Sequence, residues 1–352
     1  MRSQSPDDEK YMRRALALSK HGYGNVAPNP TVGAVIVCNG KIIGESFHRQ
    51  YGGPHAEVNA LASVKEPDLL PRSTMYVTLE PCSHHGKTPP CADLIVSKKI
   101  KRVVIGCQDP FPEVTGKGIE RLREAGIEVE TGCLENECKE AIRPFIIYHT
   151  QHRPYILLKW AQSADGFIDR ERASLADGQP AKLSHPWMNF RVHKLRSQVD
   201  AILVGTRTAL LDDPSLTVRL YSGKNPLRIA IDREGKIPEQ ATLKDGTAET
   251  LIFTEQEKTA GKRLEYEKID FSTDIIPQIL TVLYERGIQT LLVEGGTRLL
   301  NSFLDSGLWD EIRIERPATK LCSGIPAPTV RNKPDKSETI GTSTVDYYYQ
   351  NL

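Results

Sequence analysis

Short apolar runs alternate with segments of helical period along this sequence, and near residue 150 the alternation breaks off and starts afresh. Strands separated by helices favour an α/β layer with a largely parallel sheet. In the first stretch, "YMRRALALSKHG" sets Met12, Ala15, Leu16 and Ser19 on one helical face. "TVGAVIVCNGKIIGESF" reads as two β-runs joined at Asn39-Gly40, a strong hairpin signal. "HAEVNALASVK" is helical, with Val58, Leu61, Ala62 and Lys65 at helix spacing. "TMYVTLE" alternates as a strand, "CADLIVSKK" is a short helix, and "KRVVIG" is another strand. "GKGIERLREAG" and "IEVETG" add a helix and a strand. Around "RPFIIYHTQHRPYILLKW" two apolar runs flank Pro154 and the pattern begins again. Beyond it, "YILLKW", "DAILVG", "LRIAID", "TLIFT", "TLLVEGG" and "DEIRIE" predict strands. "PWMNFRVHKLRSQ", "IIPQILTVLYERG" and "RLLNSFLDSG" predict helices. A chain of 352 residues is long for one core. Two α/β domains are expected, 1–149 and 150–352, with no internal repeat.

Charge narrows the function classes. The formal net charge is +1, from 46 basic against 45 acidic residues, without a long lysine or arginine block. An extended nucleic-acid footprint is therefore not expected. No apolar run approaches the ~18 residues that a membrane span needs, and the polar start "MRSQSPDDEK" lacks the apolar core of a signal peptide. Seven cysteines, few for the length and odd in number, suit a reducing compartment rather than a disulfide framework. The expectation is a cytoplasmic protein with no membrane partner.

Within that frame, "GGPHAEVNAL" and "LEPCSHHGKTPPCADL" concentrate metal-binding residue types. His55 and Glu57 open a predicted helix; Cys82 follows Pro81 at a strand end, and Cys91 follows Pro89-Pro90 at the next helix start. One histidine and two cysteines suit a single Zn²⁺ with a fourth position open to water, the mark of a catalytic rather than a structural site. Zinc lowers the pKa of such a water to ~7. Helix N-termini favour the resulting negative charge. Glu57 is then placed to shuttle the proton. The pattern matches the zinc-deaminase signature of His-x-Glu followed by Pro-Cys-x-x-Cys, except that eight residues separate Cys82 from Cys91. The rival is a closed structural site using His84 or His85, which leaves Glu57 without a task.

"APNPTVGAVIV", "HAEVNAL", "EPCSHHGKTPPC" and "GKGIERLREAGIEV" resemble the deaminase half of the bifunctional riboflavin-biosynthesis deaminase–reductases, in which the long insert between the cysteines is typical. The resemblance implies a cytidine-deaminase-like three-layer domain and a phosphoribosylaminopyrimidine substrate whose 2-amine is hydrolysed with release of ammonia. Carried over by motif, Asn29 and His48 contact the base, while Lys87, Thr88 and Asp109 serve the ribose phosphate end. Taken by themselves, Asn29 stabilising a Pro-rich turn and Asp109 capping its loop are the plainer roles.

In the second half, Gly295-Gly296 stands between an apolar strand and a helix, where backbone amides can approach a phosphate. GxGxxG is absent, which disfavours a Rossmann domain. "KLRSQVDAILVGTRTALLDDPSLTVR" collects Arg196, Thr208, Asp212, Asp213 and Arg219. Two arginines there suit a sugar phosphate, and pairing with the two aspartates is equally open. "KWAQSADGFI", that long segment, "LRIAID" and "LLVEGG" resemble the reductase half of the same family. The resemblance implies a dihydrofolate-reductase-like, pyridine-nucleotide-dependent domain in which NADPH reduces the ribosyl group to ribityl. On that carry-over Ser184, Arg196, Leu216, Arg219 and Glu294 line the substrate site, and Gln162, Lys182, Thr208, Asp212, Gly296, Thr297 and Arg298 face the cofactor. Lys182 in "GQPAKLSH" stands where the family often has tryptophan, and "PATKLCSGIPAP" is less glycine-rich than expected. A homo-oligomer is expected from the resemblance alone. The alternatives are a tRNA or nucleoside deaminase, which needs a basic face for tRNA, a zinc-stabilised binding module, or an active deaminase with a degenerate reductase half.

Overall fold

Ser5, Pro6 and the acidic run Asp7-Asp8-Glu9 start the helix α1 (Pro6–Ser19), with the Ser5 hydroxyl accepting from the Asp8 amide at 3.3 Å. In the computed structural model, which describes residues 5–83, 89–111 and 115–350, the chain divides into two units, Met1–His152 and Arg153–Leu352. The first continues with β1 (Gly33–Cys38), β2 (Lys41–Phe47), α2 (Ala56–Ala62), β3 (Thr74–Leu79) and α3 (Cys91–Ser97). It ends with β4 (Arg102–Cys107), α4 (Lys117–Glu124), β5 (Glu128–Thr131), α5 (Glu135–Ala141) and α6 (Arg143–Gln151). Its sheet runs β2-β1-β3-β4-β5. Strand β1 is antiparallel to both neighbours, and β3, β4 and β5 are parallel. The sheet is thus mixed rather than largely parallel, because the Asn39-Gly40 turn returns the chain at once.

Side chains alternate across a strand, and here both faces are covered. Ala34, Ile36, Met75, Val77, Val103 and Ile105 pack with Ala56, Ala60, Ala92, Ile95 and Leu122 of α2, α3 and α4. Val35, Val37, Tyr76 and Val104 pack on the other face with Met12, Ala15 and Leu16 of α1 and Cys138 of α5. A three-layer α/β/α unit results. Two expectations change. "TMYVTLE" is buried on both faces rather than alternating. Helix α2 stops at Ala62 and buries Ala56, Glu57, Ala60 and Leu61, so its inner face is set by small residues and a glutamate instead of Val58, Ala62 and Lys65. The apolar run before Pro154 is helical, as α6, and ends at His152 in the left-handed region.

The second unit carries β6 (Tyr155–Ala161), β7 (Phe167–Asp169), α7 (Pro186–Arg196), β8 (Ala201–Val204) and α8 (Thr206–Asp212). Then come β9 (Leu227–Ile231), β10 (Thr250–Thr254), β11 (Leu264–Lys268), α9 (Ile275–Glu285), β12 (Thr290–Glu294) and α10 (Thr297–Ser306). It closes with β13 (Glu311–Pro317), β14 (Ile325–Pro326), β15 (Lys336–Ile340) and β16 (Ser343–Tyr349). Nine strands form one sheet, ordered β11-β10-β9-β8-β12-β6-β13-β16-β15. Only the pairings of β16 are antiparallel.

On one face Leu158, Trp160, Val293, Ile312 and Ile314 join Ile279 and Leu283 of α9 and Leu300 and Phe303 of α10 in the core. The pleat turns the intervening residues to the opposite face. There Glu294, Lys159 and Arg313 stand opposite one another across β12, β6 and β13, with Glu315 opposite Ala161. That charged row positions the second site.

Candidate functional site

Proline and helix geometry bring the metal-binding side chains together. His55 is the N-cap of α2, in extended backbone, so its ring stands off the helix end. Cys82 follows the end of β3, and Cys91 is the first residue of α3, with Pro90 as its N-cap. The His55 Nδ1 atom lies 3.6 Å from Cys82 Sγ and 3.3 Å from Cys91 Sγ. The ligand atoms of all three lie within 4.8 Å of one another, the one such cluster found among the described residues. The Cys91 amide donates to Cys82 Sγ at 3.3 Å. Donation from the Cys91 thiol, helped by His55, holds the Cys82 thiol well below the ordinary thiol range, while Cys91 is pushed up. A ready thiolate, a second thiol and an imidazole nitrogen are a donor set that fits zinc.

Glu57 is 4 % exposed on the inner face of α2. Burial, and then the Cys82 charge, pushes its carboxyl up to about 7, where a group can both take and give a proton at neutral pH. The neighbouring wall has a defined polarity. Pro54 O can only accept, so His48 Nδ1 donates to it at 3.0 Å. His48 Nε2 is then left to accept from Asn29 Nδ2 at 3.0 Å. Burial lowers the His48 pKa and keeps the ring neutral. Its ring meets that of His55 edge-on at 5.4 Å.

Asp109 lies in the loop after β4, where its Oδ1 accepts from the Phe111 amide at 2.9 Å. Lys87 and Thr88, with His84 and His85, fall outside the described residues.

In the second unit Arg196, the last residue of α7, donates to Glu294 at the end of β12 at 2.7 Å. Burial opposes the Glu294 charge, but Arg196 and then Lys159 hold the carboxyl below its ordinary range. Arg219 is lowered by burial and by Arg196, so two guanidinium groups share one neighbourhood. His193 joins them: its Nδ1 accepts from the Arg219 amide at 3.0 Å. Leu216 is buried, with a φ of 52°. Ser184 Oγ donates to Glu315 Oε2 at 2.7 Å. Among the described residues, Arg196 Nε, Glu294 Oε1 and Glu315 Oε1 are buried with no hydrogen-bond partner, and such groups in a native fold ask for one.

Gly295 and Gly296 have φ of 100° and 69°. A Cβ at Gly295 would lie 2.9 Å from the Thr208 side chain. The glycines thereby let Thr208 close on the turn that opens α10, whose free amides suit a phosphate. Asp212 is tied to Arg172, and Thr297 Oγ1 donates to Pro326 O at 2.7 Å. Trp160 Nε1 donates to Gln162 Oε1 at 2.8 Å. Lys182 and Arg298 are exposed.

Sequence reasoning missed Glu80, His193, Arg172 and Glu315. The strand "DEIRIE" held one signal, since Arg313 and Glu315 alternate with the apolar Ile312 and Ile314. The others depend on contacts made only in the fold.

Fold and site together define a zinc-dependent deaminase joined to a reductase. Residues 5–107 match the cytidine and deoxycytidylate deaminase zinc-binding region, and residues 154–345 match the RibD C-terminal domain. The riboflavin biosynthesis protein RibD of Aquifex aeolicus is 43% identical over 312 residues, 87% of this chain and 86% of that protein. Its counterpart from Actinobacillus pleuropneumoniae is 40% identical over 333 residues, 92% of this chain and 86% of that protein. A solved structure from Thermotoga maritima, a diaminohydroxyphosphoribosylaminopyrimidine deaminase/5-amino-6-(5-phosphoribosylamino)uracil reductase, superposes with a TM-score of 0.86 at 39% identity, covering 97% of this chain and 98% of that one. This chain belongs to the RibD family, the bifunctional deaminase–reductases of riboflavin biosynthesis. Its deaminase half works with zinc and its reductase half with NADPH. The sequence reading of two enzymes on one chain is borne out. Among the described residues no helix is long and apolar enough to cross a membrane.

Proposed function

We propose that residues 1–149 hydrolyse the 2-amine of 2,5-diamino-6-(5-phosphoribosylamino)pyrimidin-4(3H)-one, giving 5-amino-6-(5-phosphoribosylamino)uracil and ammonia, and that residues 150–352 reduce the ribosyl group of that product to ribityl. The observation that carries the first step is the convergence of His55, Cys82 and Cys91 within 4.8 Å, beside the buried Glu57. His55, Cys82 and Cys91 would hold a zinc ion, which would supply Lewis-acid activation of water at neutral pH. Glu57 would take one proton from the water and pass it to the ring nitrogen, then take the remaining hydroxyl proton as the carbonyl forms and pass it to the departing amine, which leaves as ammonia. Asn29, anchored by His48, orients the base, while Lys87, Thr88 and Asp109 hold the phosphoribosyl end.

For the second step, NADPH supplies the hydride. Arg196 and Arg219 neutralise the sugar phosphate, and Ser184, Leu216 and Glu294 complete the substrate wall. Thr208 and the Gly296-Thr297-Arg298 turn orient the cofactor, with Gln162, Lys182 and Asp212 at its edge. The buried polar atoms without partners at Arg196 and Glu294 support a working reductase over a degenerate one. A homo-oligomer in a reducing cytoplasm completes the reading, supported by the family and by seven cysteines without a disulfide.

One cuvette tests both steps. Ammonia release from the diaminopyrimidine ribosylamine phosphate is followed with and without a zinc chelator, and NADPH oxidation is then followed in the same sample. Zinc-dependent ammonia release and subsequent NADPH loss are expected. No ammonia from zinc-loaded, folded protein would sink the deaminase assignment.

A further inference from the structure

Glu80 sits between the end of β3 and the Pro81–Cys82 step, and is 4 % exposed. Its carboxylate is enclosed by backbone N–H groups. Oε2 accepts from Asp109 at 3.3 Å and Gly116 at 3.0 Å; Oε1 accepts from Gly118 at 2.9 Å and Ile119 at 3.3 Å. Among the described residues no lysine or arginine pairs with it, so amides and the positive end of α4 carry the compensation. The Glu80 amide also donates to Cys107 O at 2.9 Å, at the end of β4. Gly118 lies so close that a Cβ there would stand 2.0 Å from the Pro81 carbonyl oxygen and 3.2 Å from Glu80 Oε1. One buried carboxylate thus joins the strand end that carries Cys82 to the segment that carries Asp109.

We propose that Glu80 is a positioning residue of the deaminase, fixing Asp109 relative to Cys82 and hence the phosphoribosyl end of the substrate relative to the metal. This rests on the reading of Asp109 as a substrate contact. A carboxylate is needed because two acceptor oxygens serve amides on both sides. Glutamine offers one oxygen and turns an NH₂ group against two N–H donors. The metal ligands would stay in place while the loop shifts.

The test uses the full-length, zinc-loaded protein and steady-state ammonia release, with NADPH oxidation on supplied deaminated substrate as an internal control. Glu80→Gln is expected to raise KM about tenfold with kcat within about twofold, leaving zinc content and NADPH oxidation unchanged. Glu80→Asp, which keeps two acceptor oxygens but withdraws them from the amides, should do likewise to a smaller extent. Should Glu80→Gln fail to accumulate as folded protein, Glu80→Asp carries the test. A wild-type KM in the folded variants overturns the inference. So does zinc loss matching the loss of rate, which makes Glu80 a support of the metal site alone. Asp109→Ala separates the two claims. If it raises KM while Glu80→Gln does not, only the positioning role fails. If Asp109→Ala keeps the wild-type KM, the Asp109 reading fails and the inference goes with it.

Discussion

In the first unit the converging side chains come from two narrow windows, His55 to Glu57 and Cys82 to Cys91, each ending at a helix start. In the second they come from distant strands and helices: Arg196 and Glu294 are 98 positions apart, and Ser184 and Glu315 are 131 apart. The first site also pairs most of its polar groups internally, with His48, Asn29 and Pro54 in one run. Among the described residues the second leaves three buried polar atoms without partners. Metal ligands must converge on one point, and these lie in two short windows that local structure already brings together. A site for two large anionic ligands can leave hydrogen bonds for those ligands to complete.

If that contrast is right, damage to one site should leave the other chemistry intact. The largest effect is expected from Glu57→Gln. Ammonia release should fall by roughly 10²–10⁴-fold, with zinc content and NADPH oxidation on supplied deaminated substrate preserved. Parallel loss of both activities would break the comparison.

Next comes Arg196→Ala, which strands the buried Glu294 carboxylate. A loss of roughly 3 kcal/mol in denaturant unfolding is expected, with reductase kcat/KM down by about 100-fold and ammonia release unchanged. An Arg196→Ala/Glu294→Gln double variant should recover most of the stability but not the reductase rate. Recovery of the rate would remove Arg196 from the phosphate site.

Gly295→Ala sharpens the picture at the cofactor turn. Its φ of 100° and the Thr208 contact disfavour a Cβ, so NADPH affinity should weaken about tenfold, read by fluorescence titration.

The smallest effect concerns fold rather than chemistry. Asp8 accepts two bonds from Arg102, at 2.8 and 2.9 Å, and one from Tyr76 at 2.8 Å. The Arg102 hydrogen bond, against burial, holds its pKa below 3.8. A depressed carboxyl pKa stabilises above the unfolded value, and that stability is lost as pH falls through the folded value. Thermal unfolding of the wild type should therefore move to lower temperature below about pH 4, and Asp8→Asn should flatten that slope.

The same contrast explains what could be read in advance. Strand and helix positions were legible because apolar period and turn chemistry are local, as at Asn39-Gly40 and in the "IIPQILTVLYERG" helix. The zinc constellation was legible because its residues recur in compact motifs. The inner face of α2 was not: a glutamate on a buried face defies an apolar-period reading. Strands β11, β15 and β16 were missed because charged and polar residues dilute their alternation. Glu80 was invisible for another reason. Its partners are the main-chain amides of Asp109, Gly116, Gly118 and Ile119, which no side-chain pattern encodes.

The run from Pro54 through His48 to Asn29 has one further consequence. Pro54 directly precedes His55, so the same peptide that presents a metal ligand also dictates which way the Asn29 amide faces. With its NH₂ group engaged by the ring, Asn29 turns its carbonyl oxygen to whatever lies against it, and so favours a hydrogen donor there over an acceptor. On the proposed reading of Asn29 as a contact to the substrate base, a change of heterocycle would have to alter the peptide that also presents His55.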